Sequence, residues 1–294
     1  MTNRRQFLGS TLGLAAAAGV NVSPSAQAEP VKPGFAKSSN IKLGMVTYNI
    51  GKDWDIPTLI RNCTEARFDG VELRTTHKHG VEVSLTAAER AEVKRQFADS
   101  PVQAFSLGST FDFHTPDAAK LKKDIEDAKA YMVLAHDIGA TGIKVRPNGL
   151  PKEVPVEKTL EQIGRSLREL GEFGDSRGLQ IRLEVHGPGT SAVPYIKTIM
   201  DVADRPNVGV CWNSNQNDLD GAGFDANFDL VKNKIVEVHL RDLFLEEYPF
   251  RRLLARLNEI QFHGYTLAEI PESTDPVRVM KYFRGIWLAY QGLL

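Results

Sequence analysis

The stretch LQIRLEVHG, residues 179–187, brings a carboxylate and an imidazole onto one face of an extended segment. Apolar and polar residues alternate along it, which is typical of a strand with one buried face, and the polar face carries Arg182, Glu184 and His186. A carboxylate can bind a metal ion or remove a proton, and an imidazole can bind a metal ion or donate a proton. The chain then turns at Gly187-Pro188-Gly189, so these groups stand near the end of the predicted strand.

Three further strand-like segments end in polar side chains of related kinds. Asn213 lies in VCWNSN, His239 in EVHLRD and Glu269 in LAEIP. Together with Glu184 they provide two carboxylates, one amide carbonyl and one imidazole. Such a mainly oxygen donor set suits Mn²⁺ or Mg²⁺, and it also accepts Zn²⁺ or Co²⁺. We therefore predict a divalent-metal site formed by Glu184, Asn213, His239 and Glu269.

A network of buried charges without a metal is the alternative interpretation of these residues. Buried carboxylates must be paired, and basic residues lie on the same and neighbouring predicted strands. The partners available to the glutamates are Arg182, Arg241, Lys144 and Arg146. The residue types alone leave both interpretations open.

Strand-like and helix-like segments alternate from Ile41 onward. The eight strand-like segments are 42–50, 69–76, 101–109, 139–147, 179–187, 207–215, 234–242 and 265–273. Apolar residues at helical spacing fill the intervals; one predicted helix opens with Thr86 and Glu89 at capping-box spacing, and the last opens with Asp275 and Pro276. This alternation predicts a (β/α)8 TIM barrel. An open doubly wound sheet, the alternative, would normally carry a glycine-rich loop after its first strand, and YNIGKDWD is not such a loop.

Alternate side chains of each barrel strand point toward the barrel axis. The outward positions contact helices and are expected to be apolar, which assigns the intervening residues to the interior; Trp212 has outward parity and is expected to pack against a helix. The predicted interior set is Glu72, Arg74, Lys144, Arg146, Arg182, Glu184, His186, Cys211, Asn213, Glu237, His239, Arg241, Leu267 and Glu269. Barrel enzymes keep their chemistry at the carboxyl ends of the strands, so we place the site there.

The histidines cluster at the same rim. Of the seven, His136 and His263 fall on predicted helices, and the others fall at or just after the end of a predicted strand: His77, His79, His114, His186 and His239. We predict that the substrate-binding residues are His77, His79, His114, Lys144, Arg146 and Arg241. Lys144 and Arg146 can hold a carboxylate or phosphate, although pairing with the glutamates is the preferred role for these two.

Bulk composition narrows the function classes. The formal net charge is −1, so no basic surplus supports binding to a nucleic acid. With 42% apolar and 25% charged residues, the chain can bury a full globular core. The two cysteines, Cys63 and Cys211, fall on a predicted helix and a predicted strand, so we expect them to be free and buried rather than disulfide-bonded.

The first 28 residues are predicted to be a twin-arginine export signal. Arg4-Arg5 precede Phe7-Leu8 and a weakly apolar run, and AQA at 26–28 provides a cleavage site of small residues. The apolar run is too short to span a membrane, which takes about 20 residues, so no stable anchor is expected. We predict export by the twin-arginine machinery to the periplasm or the medium, with 29–40 as a linker and 41–294 as the barrel domain.

The ordered motifs LEVHG, VCWNSN, EVHLRD and LAEIP resemble the xylose isomerase-like TIM barrel superfamily, in its sugar phosphate isomerase/epimerase branch. The resemblance implies a divalent metal held by Glu, Asp, His and Glu of the last four strands. Glu184, His239 and Glu269 match this pattern, whereas Asn213 stands where the family usually has Asp and Gln216 where many members have His. It also implies a sugar or keto-sugar isomerase or epimerase acting through an enediolate, with Glu184, Glu269 and His186 as catalytic residues.

Other functions remain open on this barrel. A metal-dependent lyase or hydrolase of keto-glycosides would use the same base, and a non-catalytic sugar-binding barrel would account for Asn213. The export signal and the charge oppose a DNA-repair endonuclease. The predicted partners are therefore a small carbohydrate and the export machinery, and assembly into a homo-oligomer is left open.

Overall fold

Eight parallel strands close into a barrel in the computed structural model, which describes residues 39–294. The strands are β1 (Lys42–Val46), β2 (Gly70–Arg74), β3 (Gln103–Gly108), β4 (Gly142–Val145), β5 (Gln180–Glu184), β6 (Val208–Asn213), β7 (Ile235–Leu240) and β8 (Tyr265–Ala268). Each strand pairs with the next in chain order, and β8 closes the ring on β1, where Lys42 lies opposite Tyr265. The predicted TIM barrel is confirmed.

One helix follows every strand. The helices are α1 (Ile56–Ala66), α2 (Ala87–Ala98), α3 (Ala118–Ile138), α4 (Val156–Asp175), α5 (Val193–Ala203), α6 (Phe224–Val231), α7 (Phe250–Glu259) and α8 (Pro276–Tyr290). The capping box of Thr86 and Glu89 and the Asp275 cap of α8 are confirmed. Among the helices of residues 39–294, none is long and apolar enough to span a lipid bilayer. The predicted export signal and nearly all of the predicted linker lie outside the described residues.

The predicted strands overran the observed ones at their carboxyl ends. The segment 42–50, for example, ends as a strand at Val46, and Asn49 turns the chain with a φ of 61°. His263 is not on a helix, contrary to prediction, because α7 ends at Glu259 and Gln261 adopts a positive φ of 54° before β8. The residues beyond each strand end therefore belong to the loops that surround the barrel mouth.

The outward faces of the strands pack on the helices as their parity predicts. Trp212 is fully buried against Phe224 and Phe228 of α6, and its indole N–H donates to the Tyr248 hydroxyl at 2.8 Å. Cys63 and Cys211 are buried and free, as expected. These contacts leave the inward positions to form a separate interior.

A small apolar cluster lies inside the barrel. Val46, Phe105, Tyr265 and Leu267 form it, and the Arg182 guanidinium stacks on Phe105 with its central carbon 4.1 Å from the ring centroid. The cluster separates a polar cavity at the carboxyl-terminal end, which Val46 lines, from a second pocket at the amino-terminal end, which Phe105 and Tyr265 line.

The short 3₁₀ helix Gln216–Leu219 after β6 contains a buried acid, Asp218. Its Oδ2 accepts hydrogen bonds from the Tyr248 hydroxyl at 2.7 Å and from the Asn215 backbone N–H at 2.9 Å, while its Oδ1 is buried without a partner. Burial raises the pKa of Asp218 to about 7. This carboxyl therefore holds its proton at a pH at which an exposed carboxyl has lost it.

We expect Asp218→Asn to reduce the loss of stability with rising pH. Between the ordinary aspartate pKa of about 3.9 and the folded pKa of about 7, the native state keeps a proton that the unfolded chain releases, so stability falls as pH rises and stays reduced above pH 7. Between pH 4 and pH 8, the free energy of unfolding of the variant should rise relative to that of the wild type by on the order of 2–4 kcal/mol. Urea unfolding at both pH values measures this, with the exposed Asp53→Asn as control. Equal pH slopes in wild type and Asp218→Asn would contradict the assignment.

Candidate active site

A polar cavity of about 250 Å³ lies at the carboxyl ends of the strands. Strands from around the ring and the residues that follow them contribute its walls: Val46, Tyr48, Arg74, Lys144, Arg146, Glu184, His186, Asn213 and Glu269. The volume lies just below the range of about 300–1,000 Å³ of drug-sized ligand sites. The cavity therefore suits a small polar molecule of about the size of a monosaccharide.

Three predicted metal ligands meet beside this cavity. Ligand atoms of Glu184, His239 and Glu269 all lie within 4.8 Å of one another. His239 Nδ1 is buried without a hydrogen-bond partner, at 3.7 Å from Glu184 Oε1 and 3.8 Å from Glu269 Oε2. The other ring nitrogen, Nε2, lies 3.1 Å from Glu237 Oε1, and we assign the ring proton to this contact. Nδ1 thus faces two carboxylates while an acidic partner lies behind the ring, which is the arrangement of a metal-binding histidine.

Glu184 is held on both of its oxygens. Lys144 donates to Oε2 at 2.6 Å, and the Asn213 side-chain amide donates to Oε1 at 3.1 Å. Burial alone would raise the pKa of Glu184, but the Lys144 ammonium outweighs it and lowers this pKa. Glu184 is consequently a persistent anion and a weak base.

Glu269 has a different environment at the cavity wall. Its side chain is 21% exposed, against 4% for Glu184, and no hydrogen bond or ion pair with a lysine or arginine reaches it from the described residues. Burial raises the pKa of Glu269. Of the two glutamates, Glu269 is therefore better suited to take up and release a proton.

Buried charge pairs extend below the cavity. Arg182 Nε lies 3.3 Å from Glu237 Oε2, and both side chains are completely buried. Glu72 lies between Lys144 at 4.0 Å and His239 at 3.7 Å, and Gly108 leaves room for it, since a Cβ at Gly108 would lie 2.5 Å from Glu72 Oε1. The alternative of an ion-paired interior is thus part of the structure, and it coexists with the three converging ligands. Arg146 and Arg241 do not take part in it.

His186 lies at the cavity wall, two residues beyond Glu184. Its Nδ1 is shielded from solvent and has no partner among the described residues. Burial lowers the pKa of His186, so its imidazole is neutral near pH 7. A neutral ring can both donate to and accept from a hydroxyl group.

The predicted substrate-binding residues divide into two groups. Lys144 and Arg146 line the cavity, and His77 lies next to it, with Nδ1 3.1 Å from the Thr47 hydroxyl and its ring stacked on Tyr48. The structure does not bring His79, His114 or Arg241 to the cavity.

Each of those three side chains has another place. His79 is buried and bridges the Arg74 carbonyl and the Val81 N–H, which holds the loop after β2. His114 lines a separate groove, and Arg241 is exposed and donates to the Ser214 carbonyl. These residues lie beyond the strand ends, where parity no longer fixes the direction of a side chain: Arg146 and Glu269, also beyond their strands, reach the cavity, whereas Arg241 does not.

Sequence reasoning did not assign Tyr48, Glu72, Arg74 or Glu237 to the site. Glu72, Arg74 and Glu237 were predicted to face inward, so their parity carried the necessary signal. Tyr48 lies on the loop after β1 and lines the cavity. It shares the parity of Val46, the inward residue two positions earlier, which was the available clue.

Comparison with known proteins places this site in a family context. The sequence profile described as Xylose isomerase-like TIM barrel matches residues 60–285. A search of curated sequences finds no match for the chain. Similar solved structures include an apo 3-keto-D-glucoside 4-epimerase from E. coli, with a TM-score of 0.70 and 15% identity, covering 85% of this chain and 99% of the other.

Two further structures are similar to the same degree. An IolI protein with a bound zinc atom has a TM-score of 0.72 and 17% identity, covering 85% of this chain and 98% of the other. An L-ribulose 3-epimerase has a TM-score of 0.72 and 15% identity, covering 86% of this chain and 94% of the other. At these identities the likeness concerns the fold. The profile match runs from α1 to α8, and the chain therefore belongs to the xylose isomerase-like TIM barrel family.

Proposed function

We propose that the protein is a divalent-metal-dependent isomerase or epimerase of a small sugar or keto-sugar. The observation that carries the proposal is the buried, unpartnered Nδ1 of His239, which faces Glu184 and Glu269 beside a cavity of monosaccharide size. Membership of the family and the names of the similar structures, two of which are sugar epimerases, support the same class of reaction.

The donor set fits a divalent cation. Glu184, His239 and Glu269 would hold it, and the Asn213 amide can add an oxygen if it turns its carbonyl toward the site. Two carboxylates and one imidazole suit Mn²⁺ or Mg²⁺, and Zn²⁺ or Co²⁺ also match, zinc being the metal in the similar IolI structure. When bound, the metal supplies Lewis-acid polarisation of the substrate carbonyl and so acidifies the neighbouring C–H bond.

The side chains of the cavity divide the proton transfer between them. Glu269, the more basic glutamate, removes the proton from the carbon next to the carbonyl. Lys144 and the neutral His186 donate hydrogen bonds to the oxygen atoms on which negative charge develops. For an epimerase, the second face of the carbon needs its own proton donor. The Lys144 ammonium, held by Glu184, carries a proton for that role and lies on β4, four strands away from Glu269.

Hydrogen exchange in D₂O tests the proposed function. With Mn²⁺ present, the purified protein should introduce deuterium next to the carbonyl of at least one sugar in a panel of ketohexoses and 3-keto-glucosides. Treatment with EDTA should abolish the exchange, and added Mn²⁺ should restore it. Cleavage of the glycosidic bond without exchange would support the lyase or hydrolase alternative, and binding without either reaction would support the sugar-binding barrel.

We also propose that the protein acts outside the cytoplasm. The proposal rests on the twin arginines at Arg4-Arg5 and the AQA segment, all within residues that the structure does not describe. Replacing both arginines with lysine should retain the protein in the cytoplasm, and fractionation with mass determination of the amino terminus measures this. Export of the lysine variant at the wild-type level would contradict it.

A further inference from the structure

Two arginines line the cavity from β2 and β4. Arg74 ends β2, and Arg146 directly follows β4; both line the cavity together with Glu184 and Glu269. Both side chains are only partly accessible to solvent. Burial and the nearby charge of Arg146 lower the pKa of Arg74, so the two guanidiniums lie within electrostatic reach of each other.

Neither guanidinium has an acidic partner. Within residues 39–294, no carboxylate oxygen lies within 4.0 Å of a nitrogen of Arg74 or Arg146, although every other buried basic side chain of the interior is paired. Of the acids around the cavity, Glu184 binds Lys144, and Glu269 lies near His239 without an ion pair to either arginine.

The hydrogen-bonding capacity of both arginines is largely unused. Arg74 donates from one terminal nitrogen to the backbone carbonyl and hydroxyl of Thr75. Arg146 makes no side-chain hydrogen bond within the described residues, and its Nε is shielded from solvent. A guanidinium carries five N–H donors in a planar fork that matches a carboxylate or a phosphate, so two such forks at one cavity form a site for an anion.

Strand geometry sets the distance from this anion site to the catalytic side chains. Arg74 and Arg146 each lie two residues beyond an inward charge of the deeper layer, Glu72 and Lys144 respectively. Two residues of strand span about 6.6 Å, so the arginines lie one layer nearer the mouth than the Lys144–Glu184 pair. This separation corresponds to a few carbon–carbon bonds and fits within a single cavity of about 250 Å³.

We propose that the substrate is a sugar that carries an anionic group, a carboxylate or a phosphate, and that Arg74 and Arg146 bind this group. The inference rests on the proposed function, since it specifies the substrate class of the same cavity. The anion compensates the two unpaired charges, and its attachment orients the carbonyl end of the sugar toward Glu184 and Glu269. A neutral sugar would displace water from both guanidiniums without compensating their charge, which is unfavourable.

Three probes with one carbon skeleton test the inference: D-fructose, D-fructuronate and D-fructose 6-phosphate. They differ only at C6, which is a hydroxymethyl group in fructose, a carboxylate in fructuronate and a phosphorylated hydroxymethyl group in fructose 6-phosphate. Calorimetric titration of the full-length protein with Mn²⁺, at one ionic strength, should show at least one acid binding about tenfold or more tightly than fructose. Which acid binds more tightly distinguishes the two kinds of anionic group.

Arginine variants connect that preference to the two side chains. Arg146→Gln and Arg74→Gln should each reduce the preference for the anion over fructose, with both affinities measured on the same variant, to less than about threefold. Arg61→Gln, on the exposed surface of α1, removes the same charge away from the cavity and should keep the full preference. Should a glutamine variant fail to fold, Arg146→Lys provides a charged substitute without the planar fork.

The wild-type measurement alone can overturn the inference. Equal or weaker binding of both acids relative to fructose would do so, whatever the variants show. Deuterium exchange without an anion preference would leave the proposed function standing and remove the inference. An anion preference without any deuterium exchange would support the anion site and contradict the proposed isomerase or epimerase function.

Discussion

Glu269→Gln is expected to lower the rate of deuterium exchange by about 10²- to 10⁴-fold, the usual contribution of a general base. Glutamine keeps the size of the side chain and an oxygen that can face a metal, but it cannot accept the substrate proton. The contrast with Glu184 explains why Glu269 is the residue to change: Glu184 is bound by Lys144 and Asn213, whereas Glu269 faces the cavity with no basic hydrogen-bond partner in the described part of the chain.

Metal loss has to be separated from loss of the base. Exchange by Glu269→Gln should therefore be measured at saturating Mn²⁺, with the bound metal determined in the same sample. Glu272→Gln is the matched control, because the same substitution three residues later affects only an exposed pair with Lys52. Exchange by Glu269→Gln at half the wild-type rate or more, with metal bound, would remove Glu269 from the mechanism.

Lys144→Met is expected to destabilise the protein by about 3–5 kcal/mol, the usual result of removing one partner from a buried ion pair. The ammonium lies 2.6 Å from Glu184 and 4.0 Å from Glu72, and all three side chains are buried. Methionine keeps most of the aliphatic volume, so the loss reports on the charge rather than on packing. Urea unfolding near pH 7 measures it.

A second substitution shows whether the uncompensated acid causes the loss. Lys144→Met combined with Glu184→Gln should recover part of the lost stability, because the double variant no longer buries an unpaired carboxylate at that place. Lys197→Met removes an exposed pair with Asp201 and should cost less than about 1 kcal/mol. If Lys144→Met and Lys197→Met were equally stable, the pair with Glu184 would not contribute to the fold.

The barrel and its polar interior could be predicted because strand parity is a local property. Period-two alternation assigned Glu184 and His239 to the inside and Trp212 to the outside, and all three lie where the alternation placed them. The capping box at Thr86 marked a helix start for the same reason, since both of its residues lie within one turn.

The pairing of interior charges could not be predicted. From the sequence, Lys144 and Arg146 were both possible partners of Glu184 and Glu269. In the structure Lys144 contacts Glu184, whereas Arg146 contacts neither glutamate. The choice depends on side-chain reach across β4 and β5, which lie about 40 residues apart in the chain. Loop residues were harder still: His114 follows β3 yet points into a groove of its own.

The apolar cluster of Val46, Phe105, Tyr265 and Leu267 has a kinetic consequence. It separates the cavity from the amino-terminal end of the barrel, so substrate and product would enter and leave at the carboxyl-terminal end. A bound product molecule excludes substrate from the cavity until it dissociates. Inhibition by the product should accordingly be competitive with substrate, and product release rather than proton transfer can limit the turnover rate.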